Sequence, residues 1–287
     1  MAVVPQEFGS GHTETKLRVV QKYLEAFTVA LKKQGFRLIY VDAFAGSGAS
    51  TPRSDSQQIR LIGADDIIDG STRRALRVSP SFDQFIFIEK LGRNLESLAG
   101  LREEFPEKKN KIVLLQGDAN QKLRDFAANL EKQNARAVVF IDPFGLSLDW
   151  DTISALGRTE RVDLWYLVPA GGMSRQIKLD GTELEGAKLL DRVLGTSEWR
   201  ARIISNTTAT DLFGDPVSST SKIGGAGELS QFVQERLATA FKGGVSKRAL
   251  PLGRGGRHEF SLVFACANPS LKARSLALKL ADDVLKA

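Results

Sequence analysis

Cysteine and histidine are scarce in this 287-residue chain, which has one cysteine and two histidines. The single thiol, Cys266, excludes an internal disulfide. With only His12 and His258 beside it, the usual four-ligand zinc site of Cys and His side chains has too few ligands. We therefore expect no structural metal, and we interpret Cys266 as a small apolar residue in a strand.

Long apolar runs are missing as well. The longest, at 138–141 and 262–267, fall far short of the ~20 apolar residues needed to cross a bilayer. The segment 1–11 has no basic start followed by an apolar core, so it does not resemble a secretory signal. We expect a cytoplasmic protein with no membrane partner.

The overall composition is that of a folded globular protein. Hydrophobic residues make up 42% and charged residues 26% of the chain, which argues against disorder and coiled coil. The length gives a prior of one or two domains. Forty basic against 34 acidic residues leave a net charge of +6, a mild excess that suits a polyanionic partner without requiring one.

Hydrophobic periodicity predicts strands that alternate with helices. Apolar spacing of three and four predicts a helix at 14–33. Near-continuous apolar runs predict strands at 36–41, 85–88, 112–115, 137–141 and 162–168, and further strands at 247–252 and 259–267. Helices between strands imply parallel pairing through right-handed crossovers, buried on both faces. The sequence therefore predicts an α/β fold with a doubly wound, mostly parallel sheet.

Two stretches interrupt this alternation. Polar residues at 49–69 form an insertion after the first strand, and the rhythm breaks again at 169–227. We divide the chain into an amino-terminal part at 1–168, an inserted subdomain at 169–227 that could recognise substrate, and a carboxy-terminal part at 228–287.

Four consecutive strands end in an acid: Asp42, Glu89, Asp118 and Asp142. In open α/β sheets ligands bind beyond the carboxyl ends of the strands, so these acids share one edge. After the first strand, Gly46 and Gly48 let the backbone turn sharply and approach a ligand closely. Glu89 ends the second strand, where an acid accepts hydrogen bonds from a ribose diol.

Three other kinds of functional site that use a glycine-containing turn do not fit this sequence. A dinucleotide fingerprint needs a third glycine where this chain has Thr51. A phosphate-binding loop of the GxxxxGK type fails because no lysine follows Gly48 in the required place. A serine nucleophile elbow fails because Ala45 and Ala49 flank the Gly-Ser-Gly run in the wrong register.

The motifs resemble those of class I S-adenosylmethionine-dependent methyltransferases in their order: DAFAGSG at 42–48, Glu89, GDA at 117–119 and DPFG at 142–145. From about residue 14 to the end, the chain is similar to the three-Cys-motif partner proteins, a prokaryotic and phage-associated methyltransferase-like family. The stretches FRLIYVDAFAGSG, FDQFIFIEK, VVFIDPFG and DLWYLVP carry this resemblance. It implies a seven-stranded, Rossmann-like sheet, S-adenosylmethionine as cofactor and a cysteine-motif protein as partner.

The resemblance also assigns residue roles. It implies that Phe44, Gly46 and Gly48 line the methionine end of the cofactor, that Glu89 binds its ribose, and that Asp118 with Ala119 holds the adenine. Asp42 belongs to the same motif and either contacts the cofactor or orients the loop. The alternative to a role in cofactor binding is that an acid at a strand end only caps a helix or carries a surface charge, as many do.

The resemblance places the methyl acceptor beside Asp142, Pro143 and Phe144. An exocyclic base amine is a poor nucleophile because its lone pair is delocalised, so its two N–H groups must be held. The Asp142 carboxylate and the Pro143 carbonyl can accept them, and Phe144 can stack on the base. A duplex base would have to be flipped out first. The motif has one proline where amine-directed enzymes usually have two, which leaves the acceptor base open, and the four residues can also be read as a simple turn.

A basic stretch without any acid extends over 242–258. We predict that Lys247, Arg248, Arg254 and Arg257 bind nucleic acid, DNA or RNA; the alternative is a solvated hairpin loop. The main functional prediction is methyl transfer to a base amine. Its rivals are a methyltransferase-fold assembly partner without transferase activity, and an acceptor on a protein or small molecule.

Overall fold

The computed structural model describes residues 10–50, 68–210, 213, 215–253 and 255–286. Its strands are β1 (Arg37–Asp42), β2 (Ala49–Ser50), β3 (Ile68–Asp69), β4 (Gln84–Glu89), β5 (Ile112–Gln116), β6 (Ala135–Ile141), β7 (Val162–Val168), β8 (Ile204–Thr210), β9 (Pro216–Lys222), β10 (Gly244–Val245), β11 (Leu250–Leu252) and β12 (Phe260–Cys266). Its α-helices are α1 (Ser10–Leu31), α2 (Ser71–Arg77), α3 (Gly92–Ala99), α4 (Leu101–Glu104), α5 (Ala119–Leu130), α6 (Trp150–Arg158), α7 (Ala170–Ser174), α8 (Ala187–Leu194), α9 (Arg200–Ile203), α10 (Ala226–Ala240) and α11 (Leu271–Val284).

The main sheet has the strand order β10-β12-β7-β6-β1-β4-β5, and the short β11 also pairs with β12. Strands β5, β4, β1, β6 and β7 run parallel, whereas β12 runs antiparallel to β7. Because β10 and β11 pair with different halves of β12, they share one edge position. The sheet thus has seven strand positions, and the predicted doubly wound, mostly parallel seven-stranded α/β fold is confirmed.

Both faces of the sheet are covered by helices. Along β1, Leu38 and Tyr40 join the hydrophobic cluster that includes residues of α1, α2, α3 and α11. The alternate residues Ile39 and Val41 join the cluster that includes residues of α5, α6, α8 and α10. This period of two is why a strand buried on both faces has a continuous apolar sequence.

The two predicted interruptions have local structure of their own. In the first, β2 and β3 pair antiparallel with each other, and residues 51–67 lie outside the described part of the chain. The second contains α7, α8, α9 and an antiparallel hairpin of β8 and β9. Buried side chains of this segment, including Met173, Leu190 and Trp199, join the same core cluster as α10. The prediction that 169–227 recognises substrate stays a prediction.

Among the helices within the described residues, none combines the length and the apolar character needed to span a membrane.

Candidate active site at the carboxyl edge

The turn after β1 is a tight loop at the carboxyl edge, the edge of the sheet where the parallel strands end. Gly46 and Gly48 have positive φ angles of 60° and 77°, a conformation that costs other residues about 1 kcal/mol or more. The Ala45 N–H donates to the Ile88 carbonyl at 3.0 Å, which fixes the turn against β4. A Cβ built on Gly46 would meet no protein atom within 4 Å, so this glycine borders open space.

Neighbouring helices hold the turn from outside. Arg73 of α2 donates from Nη1 to the Gly48 carbonyl at 2.7 Å, and its Nε pairs with Glu104 at 2.9 Å. Ser97 of α3 donates from Oγ to the Ser47 carbonyl at 2.9 Å. The turn is therefore positioned by side chains from two helices before any ligand binds.

Asp42 lies under this turn and is fully buried. It accepts hydrogen bonds from the Phe44 backbone N–H at 3.3 Å and from the Tyr40 hydroxyl at 3.5 Å. Burial raises the pKa of Asp42 to about 6, opposed by a hydrogen bond from Ser71 and increased by the nearby Asp142 carboxylate. These contacts favour the second of the two predicted roles, in which Asp42 orients the loop.

A pocket of about 210 Å³ opens at this edge, between the ends of β1, β4, β5 and β6. It brings together five of the predicted site residues, which are Phe44, Glu89, Asp118, Ala119 and Phe144. Gly46, Gly48, Asp142 and Pro143 stand in the adjoining turns without lining it.

Two carboxylates border the pocket. Glu89 is 5% exposed, and its Oε1 accepts from the Leu91 N–H at 2.8 Å. Asp118 caps α5 by accepting from the Gln121 N–H at 3.2 Å. Asp118 therefore combines the generic role of a helix cap with a place in the pocket wall, and the two roles are compatible because a carboxylate has two oxygens.

An aromatic pair stands on the outer side of the pocket. The rings of Phe44 and Phe144 meet edge to face, with centroids 6.4 Å apart and an interplanar angle of 83°. The Phe144 side chain is 66% exposed, although phenylalanine is among the residues most often buried in a protein core. Its free surface can stack on a planar ligand.

One buried hydroxyl in the wall of the pocket, Ser147 Oγ, has no hydrogen-bond partner within the described residues. The other unpartnered buried groups of the described residues, Thr72 Oγ1, Trp165 Nε1 and Tyr166 Oη, do not line the pocket. Buried polar groups are nearly always satisfied. The unpartnered Ser147 hydroxyl therefore favours a polar ligand in the pocket.

Asp142 forms an ion pair with Lys16 of α1, a contact that sequence reasoning missed. Lys16 lies four residues before Val20 and seven before Tyr23, both buried, so it continues the apolar stripe of α1. A charged residue on an otherwise apolar helix stripe is the sequence feature that could have indicated this contact. Asp142 keeps partial exposure, whereas the adjacent Pro143 is buried.

The described residues of the predicted basic stretch lie along one edge of the sheet, and their binding of nucleic acid stays a prediction. Arg257 is exposed in the loop between β11 and β12, where β12 begins beside the end of β7 at the carboxyl edge. Lys247 and Arg248 are exposed farther along the edge of the sheet, next to Ser246, whose N–H donates to the Phe264 carbonyl at 3.0 Å. Arg254 lies outside the described residues.

No protein-family model matches the chain, and neither does any curated protein. Solved structures overlap with it only distantly. A Legionella pneumophila protein matches with 12% identity and a TM-score of 0.47, over 96% of this chain and 94% of its own. A precorrin-6y C5,15-methyltransferase from Geobacter metallireducens matches with 11% identity and a TM-score of 0.32, over 91% of each chain. An O-methyltransferase from Bacillus cereus, solved in complex with SAH, matches with 14% identity and a TM-score of 0.33, over 77% of this chain and 94% of its own. Overlaps this remote do not bear on function, which has to be argued from the site.

Proposed function

We propose that this chain is an S-adenosylmethionine-dependent methyltransferase that acts on an exocyclic amine of a nucleic-acid base. The observation that carries the proposal is the pocket at the carboxyl edge. It joins Phe44, Glu89, Asp118 and Ala119, which the motif resemblance assigns to the cofactor, with Phe144 of the acceptor motif.

The residues present fit that cofactor. Glu89 can accept hydrogen bonds from the ribose hydroxyls with the carboxylate oxygen that Leu91 leaves free. Ser147 Oγ is a buried hydroxyl in need of a partner, and Gly46 leaves room for close approach of a ligand. When bound, S-adenosylmethionine supplies an electrophilic methyl group on a sulfonium.

The chain's own residues would hold the acceptor. Asp142 can accept an N–H of the base amine, which keeps the nitrogen lone pair directed at the cofactor side of the pocket. Phe144 offers an exposed ring for the base to stack on, an interaction that contributes about 1–3 kcal/mol per base. Lys16 keeps the Asp142 carboxylate in place from α1.

Transfer of a labelled methyl group to DNA and RNA pools tests this proposal. We expect activity in the unaltered chain and a loss of at least ~100-fold in Asp142→Ala, because an unheld amine loses its alignment. Asp151→Ala is the matched control, since Asp151 is an exposed aspartate in the first turn of α6. Full activity in Asp142→Ala would overturn the assigned role of the motif.

The second candidate is an assembly partner of a cysteine-motif protein that has the fold but no transferase activity. It is favoured by the single proline of the DPFG motif, where amine-directed methyltransferases usually have two. Saturable binding of S-adenosylmethionine without transfer to DNA, RNA or protein pools would support this candidate.

A further inference from the structure

A second cavity of about 310 Å³ lies at the amino edge, the opposite edge of the sheet, between α1 and α11. Its apolar wall includes Phe27 and Leu31 of α1 and Leu276 and Leu280 of α11. Its volume is at the lower end of the roughly 300–1,000 Å³ that is typical of small-molecule sites. None of the motifs assigned to methyl transfer reaches this edge.

Two arginines line the cavity, Arg136 and Arg161. Arg136 donates from Nη1 to the Ala135 carbonyl at 2.9 Å and lies over the Phe36 ring at 4.3 Å. Arg161 donates to the Glu131 carbonyl at 3.5 Å. Within the described residues neither guanidinium forms an ion pair. Burial and the charge of Arg161 lower the pKa of Arg136, opposed by the charge of Asp163, so the two guanidinium groups repel each other.

The acids near the cavity are already engaged. Asp163 is buried and accepts from the Tyr23 hydroxyl at 2.6 Å. Burial raises the pKa of Asp163 to about 6, so at neutral pH its carboxylate offsets one of the nearby cations. Glu160 borders the open groove that continues the cavity, but it pairs with Lys242 at 2.7 Å. Lys272 of α11 adds a third cation to the lining, so the cavity has an excess of positive charge.

We propose that this cavity binds a small organic carboxylate with an apolar body. The carboxylate would pair with Arg136 and Arg161, since a guanidinium fork matches a carboxylate, and the body would lie between α1 and α11. The carboxylate of the ligand would relieve the repulsion between the two cations, and its apolar body would cover the apolar wall. Both parts of the ligand would therefore contribute to binding. The site does not depend on the proposed methyl transfer.

Calorimetric titration of the full chain with octanoate, octanol and acetate tests the site. We expect one-to-one binding of octanoate, with octanol and acetate each weaker by at least ~10-fold, because each lacks one end of the ligand. Arg161→Gln should weaken octanoate binding by about tenfold or more. Arg158→Gln is the matched control, since Arg158 bonds to Ser154 on α6 at 2.8 Å and does not line the cavity.

A variant that fills the cavity gives an independent test. Ala273 lines it and is half-buried, so Ala273→Leu should abolish octanoate binding while its thermal midpoint stays near that of the unaltered chain. The proposal is overturned if octanoate does not bind, if octanol binds equally well, or if Arg161→Gln leaves the affinity unchanged. Should Ala273→Leu fail to fold, the Arg161→Gln comparison still decides.

Discussion

Asp42 and Asp142 follow neighbouring strands, and their surroundings give them different roles. Asp42 is enclosed and accepts hydrogen bonds within its own loop, whereas Asp142 reaches the surface and pairs with Lys16 across 126 positions of the chain. Sequence reasoning identified both acids because they end apolar strands. It could not predict the partner of Asp142, since that contact depends on how α1 packs across the sheet.

The Lys16 ion pair is expected to affect the rate of transfer and not cofactor affinity. Lys16→Met removes the group that orients Asp142, and misplacement of a catalytic group costs on the order of 10–100-fold in rate. Lys16→Arg should retain most of the activity, because it keeps a cation at this position. Steady-state rates and S-adenosylmethionine titrations of both variants check this; a rate in Lys16→Met equal to the unaltered chain would contradict it.

Asp163 makes the stability of the chain depend on pH. Burial raises the pKa of Asp163 to about 6 in the folded chain, above its value when unfolded, so the folded state binds more protons than the unfolded state between about pH 4 and 6. Stability from this group is therefore present at low pH and is lost as the pH rises through 6. The Tyr23 hydroxyl donates to Asp163 at 2.6 Å, and Arg136 is the nearby cation.

Asp163→Asn removes this titration while keeping an oxygen that can accept from Tyr23. Between pH 5 and 7.5, the free energy of unfolding of the variant should rise relative to the unaltered chain by roughly 1 kcal/mol. Urea denaturation at the two pH values measures this difference. Asp125→Asn is the exposed control, and a pH-independent difference for Asp163→Asn would show that the buried carboxyl does not titrate in this range.

At the scale of elements, the β1 strand and its turn were the most predictable part of the site. The apolar run ending in Asp42 and the two glycines specify a buried strand and a sharp turn. The β8–β9 hairpin could not be predicted in the same way, because its strands, ISNTTAT and PVSSTSK, lack the alternation of apolar and polar residues on which such predictions rely. Serine and threonine suit a largely exposed hairpin that is held by backbone pairing.

Gly46 offers a clean test of the turn. Gly46→Ala adds a methyl group to open space, at a positive φ that costs about 1 kcal/mol. Gly35→Ala is the matched control, because Gly35 has a φ of 73° and also meets no atom, but lies away from the turn. Both should lose similar stability in urea denaturation, whereas only Gly46→Ala should weaken S-adenosylmethionine binding, by about tenfold or more. Equal affinities would place the cofactor away from Gly46.

At the scale of the whole molecule, the sheet separates two working edges. The carboxyl edge gathers the motif residues, and the amino edge holds the arginine-lined cavity. The alternation of strands and helices in the sequence predicted the first edge, since parallel strands bring their ends together. The cavity could not be predicted, because its walls come from α1 and α11, at opposite ends of the chain.

Because the two edges are separated, we expect the basic residues to contribute differently to nucleic-acid binding. Arg257 lies in a loop at the carboxyl edge, so Arg257→Gln should weaken nucleic-acid binding and reduce the slope of affinity against salt concentration by about one unit. Lys242→Gln should leave the slope unchanged, because Lys242 pairs with Glu160 at the other edge. Filter binding of a labelled oligonucleotide at several salt concentrations measures both; an unchanged slope in Arg257→Gln would exclude a phosphate contact there.

The central claim is that the pocket at the carboxyl edge binds S-adenosylmethionine, and calorimetric titration of the purified chain tests it most directly. We expect saturable one-to-one binding that Glu89→Gln weakens by about tenfold or more, while the exposed control Glu131→Gln binds as the unaltered chain does. The absence of binding by folded protein, with nucleic acid also present, would contradict the claim.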